Sequence, residues 1–104
     1  MDNFLQRLRE SNLQRTIYFK HAPDAWSPAQ YACALAGEVG ELCNLIKKEF
    51  RGTDVVDPQD IKDEIADVAI YLDLLAARYG ISLEDAIREK WNAKSEQVGC
   101  PIRI

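Results

Sequence analysis

Four acidic residues fall into two matched pairs, Glu38 with Glu41 and Glu64 with Asp67. Residues three apart are neighbours on a helix face, so each pair would present two carboxylates side by side. The local words match too: Glu38-Val39-Gly40-Glu41-Leu42 beside Glu64-Ile65-Ala66-Asp67-Val68, acids bracketing an aliphatic and a very small residue. Four carboxylates within a few ångströms repel, and burying one uncompensated is costly. Either they splay into solvent or they gather divalent cations. Oxygen ligands without histidine or thiolate suit Mg²⁺, with Mn²⁺ as a substitute, better than zinc or copper. Mg²⁺ keeps several waters and is usually completed by substrate phosphates. Such a cation acidifies water, and a carboxylate not fully used as a ligand could accept the proton.

Two observations favour a site over solvated helix faces. Gly37 and Gly40 sit inside the same helical stretch, where each glycine costs about 0.5–1 kcal/mol relative to alanine. Close helix packing or close approach of a ligand would account for them. The formal net charge is −4, so the four acids equal the whole acidic excess. That mild acidity disfavours polynucleotides and anionic membranes, which bind through clustered positive charge. His21, the one histidine, excludes most zinc and di-iron schemes, which need at least two imidazoles. Cys33, Cys43 and Cys100 lack metal-knuckle spacing and read as reduced thiols. No serine or cysteine has a base nearby in sequence, and no glycine-rich phosphate loop is present. No apolar run reaches the roughly 20 residues of a membrane span, and no charged-then-apolar leader opens the chain. The expected compartment is the cytoplasm.

Helix punctuation places the acids. Ser27-Pro28-Ala29-Gln30 reads as a capping box with proline at the first helical position, opening a helix over 27–50 that Arg51-Gly52 stops. Asp57-Pro58 opens a helix over 57–79, and Ser82-Leu83-Glu84-Asp85 caps another that Gly99 and Pro101 close. A first helix over 2–19 is less clearly amphipathic in its later turns. Alternating strand patterns are absent. With 104 residues, 47% of them apolar, the expectation is one domain over 1–104, an all-α four-helix bundle.

Tyr31, Leu35, Val39, Leu42 and Ile46 form the apolar stripe of the second helix, and Ile61, Ile65, Val68, Leu72 and Leu75 that of the third. The acids lie along the edges of these stripes. Antiparallel packing across loop 51–56 would turn both pairs toward one cleft, a local pseudo-twofold. A second strip on the third helix, Ala66, Ile70, Leu74 and Ala77, is roughly opposite the first, and another subunit is its natural cover. A homodimer or homotetramer is expected.

Ala36-Gly37-Glu38-Val39-Gly40-Glu41-Leu42, followed by Asp63-Glu64-Ile65-Ala66-Asp67-Val68-Ala69-Ile70-Tyr71-Leu72, resembles the EXXE…EXXD signature of MazG-like nucleotide pyrophosphohydrolases, in the all-α NTP pyrophosphatase superfamily. Trp26-Ser27-Pro28, Lys90-Trp91-Asn92 and Pro101-Ile102-Arg103-Ile104 extend the resemblance over about residues 26–104. It implies a four-helix bundle assembling as dimers or tetramers, and Mg²⁺-dependent hydrolysis of (deoxy)nucleoside triphosphates to monophosphate and pyrophosphate, as nucleotide-pool house-cleaning. It puts the metal ligands at Glu38, Glu41, Glu64 and Asp67, Tyr71 near the nucleotide, and Lys90 and Asn92 against substrate. Relatives nearest the dCTP-hydrolysing branch often carry a base-stacking tryptophan where this chain has Lys48, a departure that bears on any cytosine preference.

A triphosphate brought to four carboxylates calls for cations, and Lys47, Lys48, Lys90 and Lys94 are the candidates. Lys48 projects on the Glu41 side of its helix, whereas Lys47 points away. Lys90 and Lys94 flank the stripe Leu83, Ile87, Trp91 and Val98, and either point inward or snorkel into solvent. Trp26, just before the Ser27 cap, packs in the core or stacks on a base. Tyr71 offers its hydroxyl to substrate or is an ordinary buried tyrosine; Asn92 offers its amide or faces solvent. Trp91 reads as core and His21 as surface. Two other functions stay open: a phosphoribosyl-ATP pyrophosphatase of the same superfamily, and a non-catalytic helical interaction module.

Overall fold

The structure is a computed structural model and describes residues 3–19, 24–52 and 54–104. Each helix begins where a side chain accepts a backbone N–H that the first turn leaves without a partner. In α1 (Phe4–Tyr18) the Asn3 carbonyl oxygen accepts from Gln6 N at 3.0 Å. In α2 (Pro28–Arg51) the capping box closes both ways: Gln30 N donates to Ser27 Oγ at 3.2 Å, and Ser27 N donates to Gln30 Oε1 at 2.8 Å. Asp57 accepts from Gln59 N before α3 (Pro58–Arg78), and Ser82 from Asp85 N before α4 (Leu83–Val98). Gly52 and Gly99 end α2 and α4 at φ 68° and 71°, in the left-handed region where a Cβ is unfavourable. The chain is all-α with four helices, and among the described residues there is no strand. The helix ends fall within about two residues of those the punctuation predicts.

The α2–α3 pair is the main contact of the fold, with α1 laid on α3 and α4 touching α1. The register of α2 against α3 runs in opposite directions: Tyr31 shares a cavity with Tyr71 and Leu74, whereas Lys48 shares a hollow with Asp60 and Asp63. The two helices are therefore antiparallel, as the short loop between them requires.

The way α1 docks accounts for its weak apolar pattern. Its inner face is polar. Asp73, buried on α3 at 1% exposure, accepts from Arg9 Nε at 3.2 Å and from Asn12 Nδ2 at 2.9 Å. Arg9 Nη2 also donates to the Ile81 carbonyl at 2.7 Å, and buried Thr16 turns its hydroxyl back to the Leu13 carbonyl. Asn3 bonds Glu84 across to α4; that contact, then Arg88, holds the Glu84 carboxyl below its ordinary range.

Three expectations are corrected here. Ile70 and Leu74, of the strip assigned to another subunit, line the cavity under α1, so α1 supplies their cover. The stripes themselves are in part exposed, at Val39 (40%) and Ile46 (47%) on α2 and at Ile65 (54%) and Leu72 (39%) on α3. Trp91, read as core, is exposed, because α4 does not pack along α2 or α3. A Cβ at Gly37 or Gly40 would have nothing within 4 Å, so no neighbouring helix presses on either glycine. His21 lies outside the described residues.

Candidate metal centre and adjoining cavity

Opposed helices bring Glu38 and Glu41 of α2 to Glu64 of α3. One carboxylate oxygen from each lies within 4.8 Å of the others. Glu38 Oε2 and Glu64 Oε2 are shielded from solvent and face no hydrogen-bond donor. Two acceptors set against each other out of water need something positive between them, a proton or a cation. In the metal-free chain a proton can take that place below about pH 7. The Glu64 pKa is pushed up to about 7, first by the hydrogen bond that protonation allows with Glu38, then by desolvation, then by Glu41.

The donor set fits a hard divalent cation. Among the described residues it offers carboxylate oxygens alone, and the lone pairs of its two oxygens without a hydrogen-bond partner suit such an ion. Glu38, Glu41 and Glu64 would hold it. Asp67, expected as the fourth ligand, is not a member of this group; one turn farther along α3, it lines a separate wall.

That wall belongs to a cavity of about 470 Å³ between α1, α3 and the start of α2, where Asp67 meets Trp26, Tyr31, Tyr71, Ile70 and Arg15. Trp26 and Tyr31 stack at 5.2 Å between ring centroids with a 44° tilt. Arg78 Nε donates to the Trp26 carbonyl at 2.8 Å, so the end of α3 holds this part of the chain in place. Tyr31 is buried, and burial raises its phenol pKa above the ordinary value. An aromatic cavity next to an acidic cluster suits a ligand with a flat ring at one end and metal-binding oxygens at the other.

The other expected substrate residues separate into two places. Lys48 lines a hollow on the opposite side of the acids, with Glu41, Asn44, Asp60, Asp63 and Glu64. Lys90 and Lys94 line a shallow hollow of α4 alone, with Ile87 and Trp91, apart from the acids and the aromatic cavity. The Asn92 amide is occupied at both ends: Nδ2 donates to the Ile104 carbonyl at 3.1 Å, and Oδ1 accepts from Ile104 N at 2.9 Å. Sequence reasoning missed the contribution of α1 altogether. Its signal was polar, Arg9, Asn12 and Thr16 at helical spacing, where an apolar stripe was sought.

No described helix is long and apolar enough to cross a membrane. No curated protein and no solved structure matches the chain. The sequence model of the MazG-like family matches residues 33–101, about two thirds of the length, spanning both acid pairs and the whole of α4. With a match of that extent over these helices, the chain belongs to the MazG-like family.

Proposed function

We propose that the protein is a nucleoside triphosphate pyrophosphohydrolase, cutting (deoxy)nucleoside triphosphates to monophosphate and pyrophosphate in nucleotide-pool house-cleaning. The family places it among nucleotide pyrophosphatases in general. The single observation that carries the narrower reading is the three-carboxylate cluster with two orphaned oxygens beside an aromatic cavity. Mg²⁺ is the proposed cofactor, with Mn²⁺ as a substitute, held by Glu38, Glu41 and Glu64 and joined by Asp67 if its side chain turns toward them. Bound there, it would supply Lewis-acid polarisation of phosphate and a more acidic water.

The chain's own residues have distinct tasks. Trp26 and Tyr71 hold the base and sugar in the cavity and keep water from that end. Glu64, with a pKa of about 7 in the metal-free chain, gives up that proton when a cation takes its place among the three carboxylates. Lys48 lies where it can neutralise the departing pyrophosphate. Lys90 and Asn92 reach substrate only if a second copy brings them, since α4 carries them away from this chain's acids.

A second copy is also what the exposed stripes call for. The radius of gyration is 16.6 Å, against about 13 Å for a compact chain of this length. Val39, Ile46, Ile65 and Leu72 leave an apolar face on the α2–α3 pair, and a homodimer or homotetramer buries it. The cytoplasm is the proposed location.

The test is product analysis. Purified protein is incubated with each ribo- and deoxynucleoside triphosphate, with Mg²⁺ or EDTA. Monophosphate and pyrophosphate formed only with metal support the reading; diphosphate implicates a different bond, and an inert protein that still assembles favours the interaction module.

A further inference from the structure

The aromatic cavity has walls of two origins. Asp67 and Tyr71 lie inside the family match at residues 33–101, whereas Arg15, Thr16, Trp26 and Tyr31 precede it. The N-terminal wall is this chain's own contribution to the pocket, and among its described residues Arg15 is the one cation. Arg15 stands in the last turn of α1 and borders the cavity. Elsewhere Arg9 pairs with Asp73, Arg88 with Glu84 and Arg103 with Glu96, while Arg78 donates to the Trp26 carbonyl and is not among the residues that line the cavity. Among the described residues no acid pairs with Arg15.

An arginine that no described acid pairs, on the wall of the cavity, fits an anionic group of a ligand. Lys48 serves the far side of the acid cluster, and Lys90 and Lys94 lie on the outer wall of α4. That leaves Arg15 as the positive group among the described residues that line the cavity. With a base between the aromatic rings and a cation at the three glutamates, the phosphate lying between them is the one attached to the sugar. We propose that Arg15 binds the α-phosphate of the nucleotide, the phosphate retained in the monophosphate product. The planar guanidinium fork matches two phosphate oxygens at once. The assignment rests on the nucleotide reading of the site and goes beyond it, in giving α1 a direct role in binding.

Isothermal titration calorimetry tests it with the four common deoxynucleoside monophosphates and the matching nucleosides, each in Mg²⁺, using wild type, Arg15→Ala and Arg15→Lys. Arg15→Ala is expected to bind the preferred monophosphate at least tenfold more weakly, to bind its nucleoside unchanged, and to bind Mn²⁺ as wild type does. Arg15→Lys is expected to recover part of the loss. An equal loss for nucleoside and monophosphate, or no loss, overturns the proposal. So does a lowered melting temperature with normal monophosphate binding, since that is what a purely structural role at the end of α1 produces. If wild type binds metal but neither nucleosides nor monophosphates, the nucleotide reading itself fails, an outcome visible before any variant is compared.

Discussion

Glu38 and Glu64 meet across the α2–α3 interface with Oε2 of each sealed from water and facing no donor. Antiparallel helices would ordinarily carry apolar or oppositely charged groups at such a position. Two acids there are destabilising until a proton or a cation joins them. Among the described residues the fold accepts that cost at one place, between the pairs that the sequence marks.

Metal-free stability should therefore fall with rising pH. Glu64 has an ordinary pKa of 4.5 unfolded and about 7 folded, so between those values the folded chain binds more protons and unfolding becomes easier as pH increases. Glu84 shifts downward, which confines its opposite effect to the region below its ordinary 4.5. Thermal melts in EDTA should show the midpoint falling from pH 5 to pH 8, about the window of the Glu64 shift. Excess Mg²⁺ should flatten the fall, and Glu64→Gln should abolish it.

Asp73 ties α1 to α3 from full burial, with Arg9 and Asn12 as its donors. Removing one partner of a buried pair strands the other. Asp73→Ala should cost about 3–5 kcal/mol, measured by urea unfolding.

Trp26 lines the cavity in contact with Tyr31. Stacking of a base on an aromatic ring is worth about 1–3 kcal/mol. Trp26→Ala should raise KM for the preferred triphosphate by roughly tenfold or more on that scale, while leaving Mn²⁺ affinity unchanged. A fall in kcat alone would place the ring outside the binding pocket.

Ile65 is more than half exposed in the isolated chain. A charge there would disrupt the apolar contact proposed between copies and leave the α2–α3 interior untouched. Ile65→Glu should convert the assembly to monomer in sedimentation equilibrium, with helical content retained. A monomeric wild type at micromolar concentration would remove the reason to assign this face to a second copy.

The helices were legible because their caps are local chemistry: Ser27 with Gln30, Asp57 with Pro58, and Ser82 each act within one turn. Glu38 and Glu41 were legible as neighbours for the same reason, since helical spacing sets them on one edge, and Glu64 joins them because the short loop turns α3 back along α2. Asp67 was not, because whether its side chain turns to the acids or to the cavity depends on what α1 places opposite it. Neither was the polar seat of α1 on Asp73, which long-range pairing decides. Lys90 and Asn92 show the same limit: their positions along α4 follow from sequence, but the direction in which α4 leaves the bundle does not.

The account stands or falls on a cation at the three glutamates. Titrating Mn²⁺ at pH 7.5 and following free ion by electron paramagnetic resonance measures this directly in wild type, Glu38→Gln and Glu64→Gln. The account predicts saturable binding to wild type, at least tenfold weaker in each variant, with helical content unchanged. Equal binding to all three proteins, or none to wild type, would contradict it.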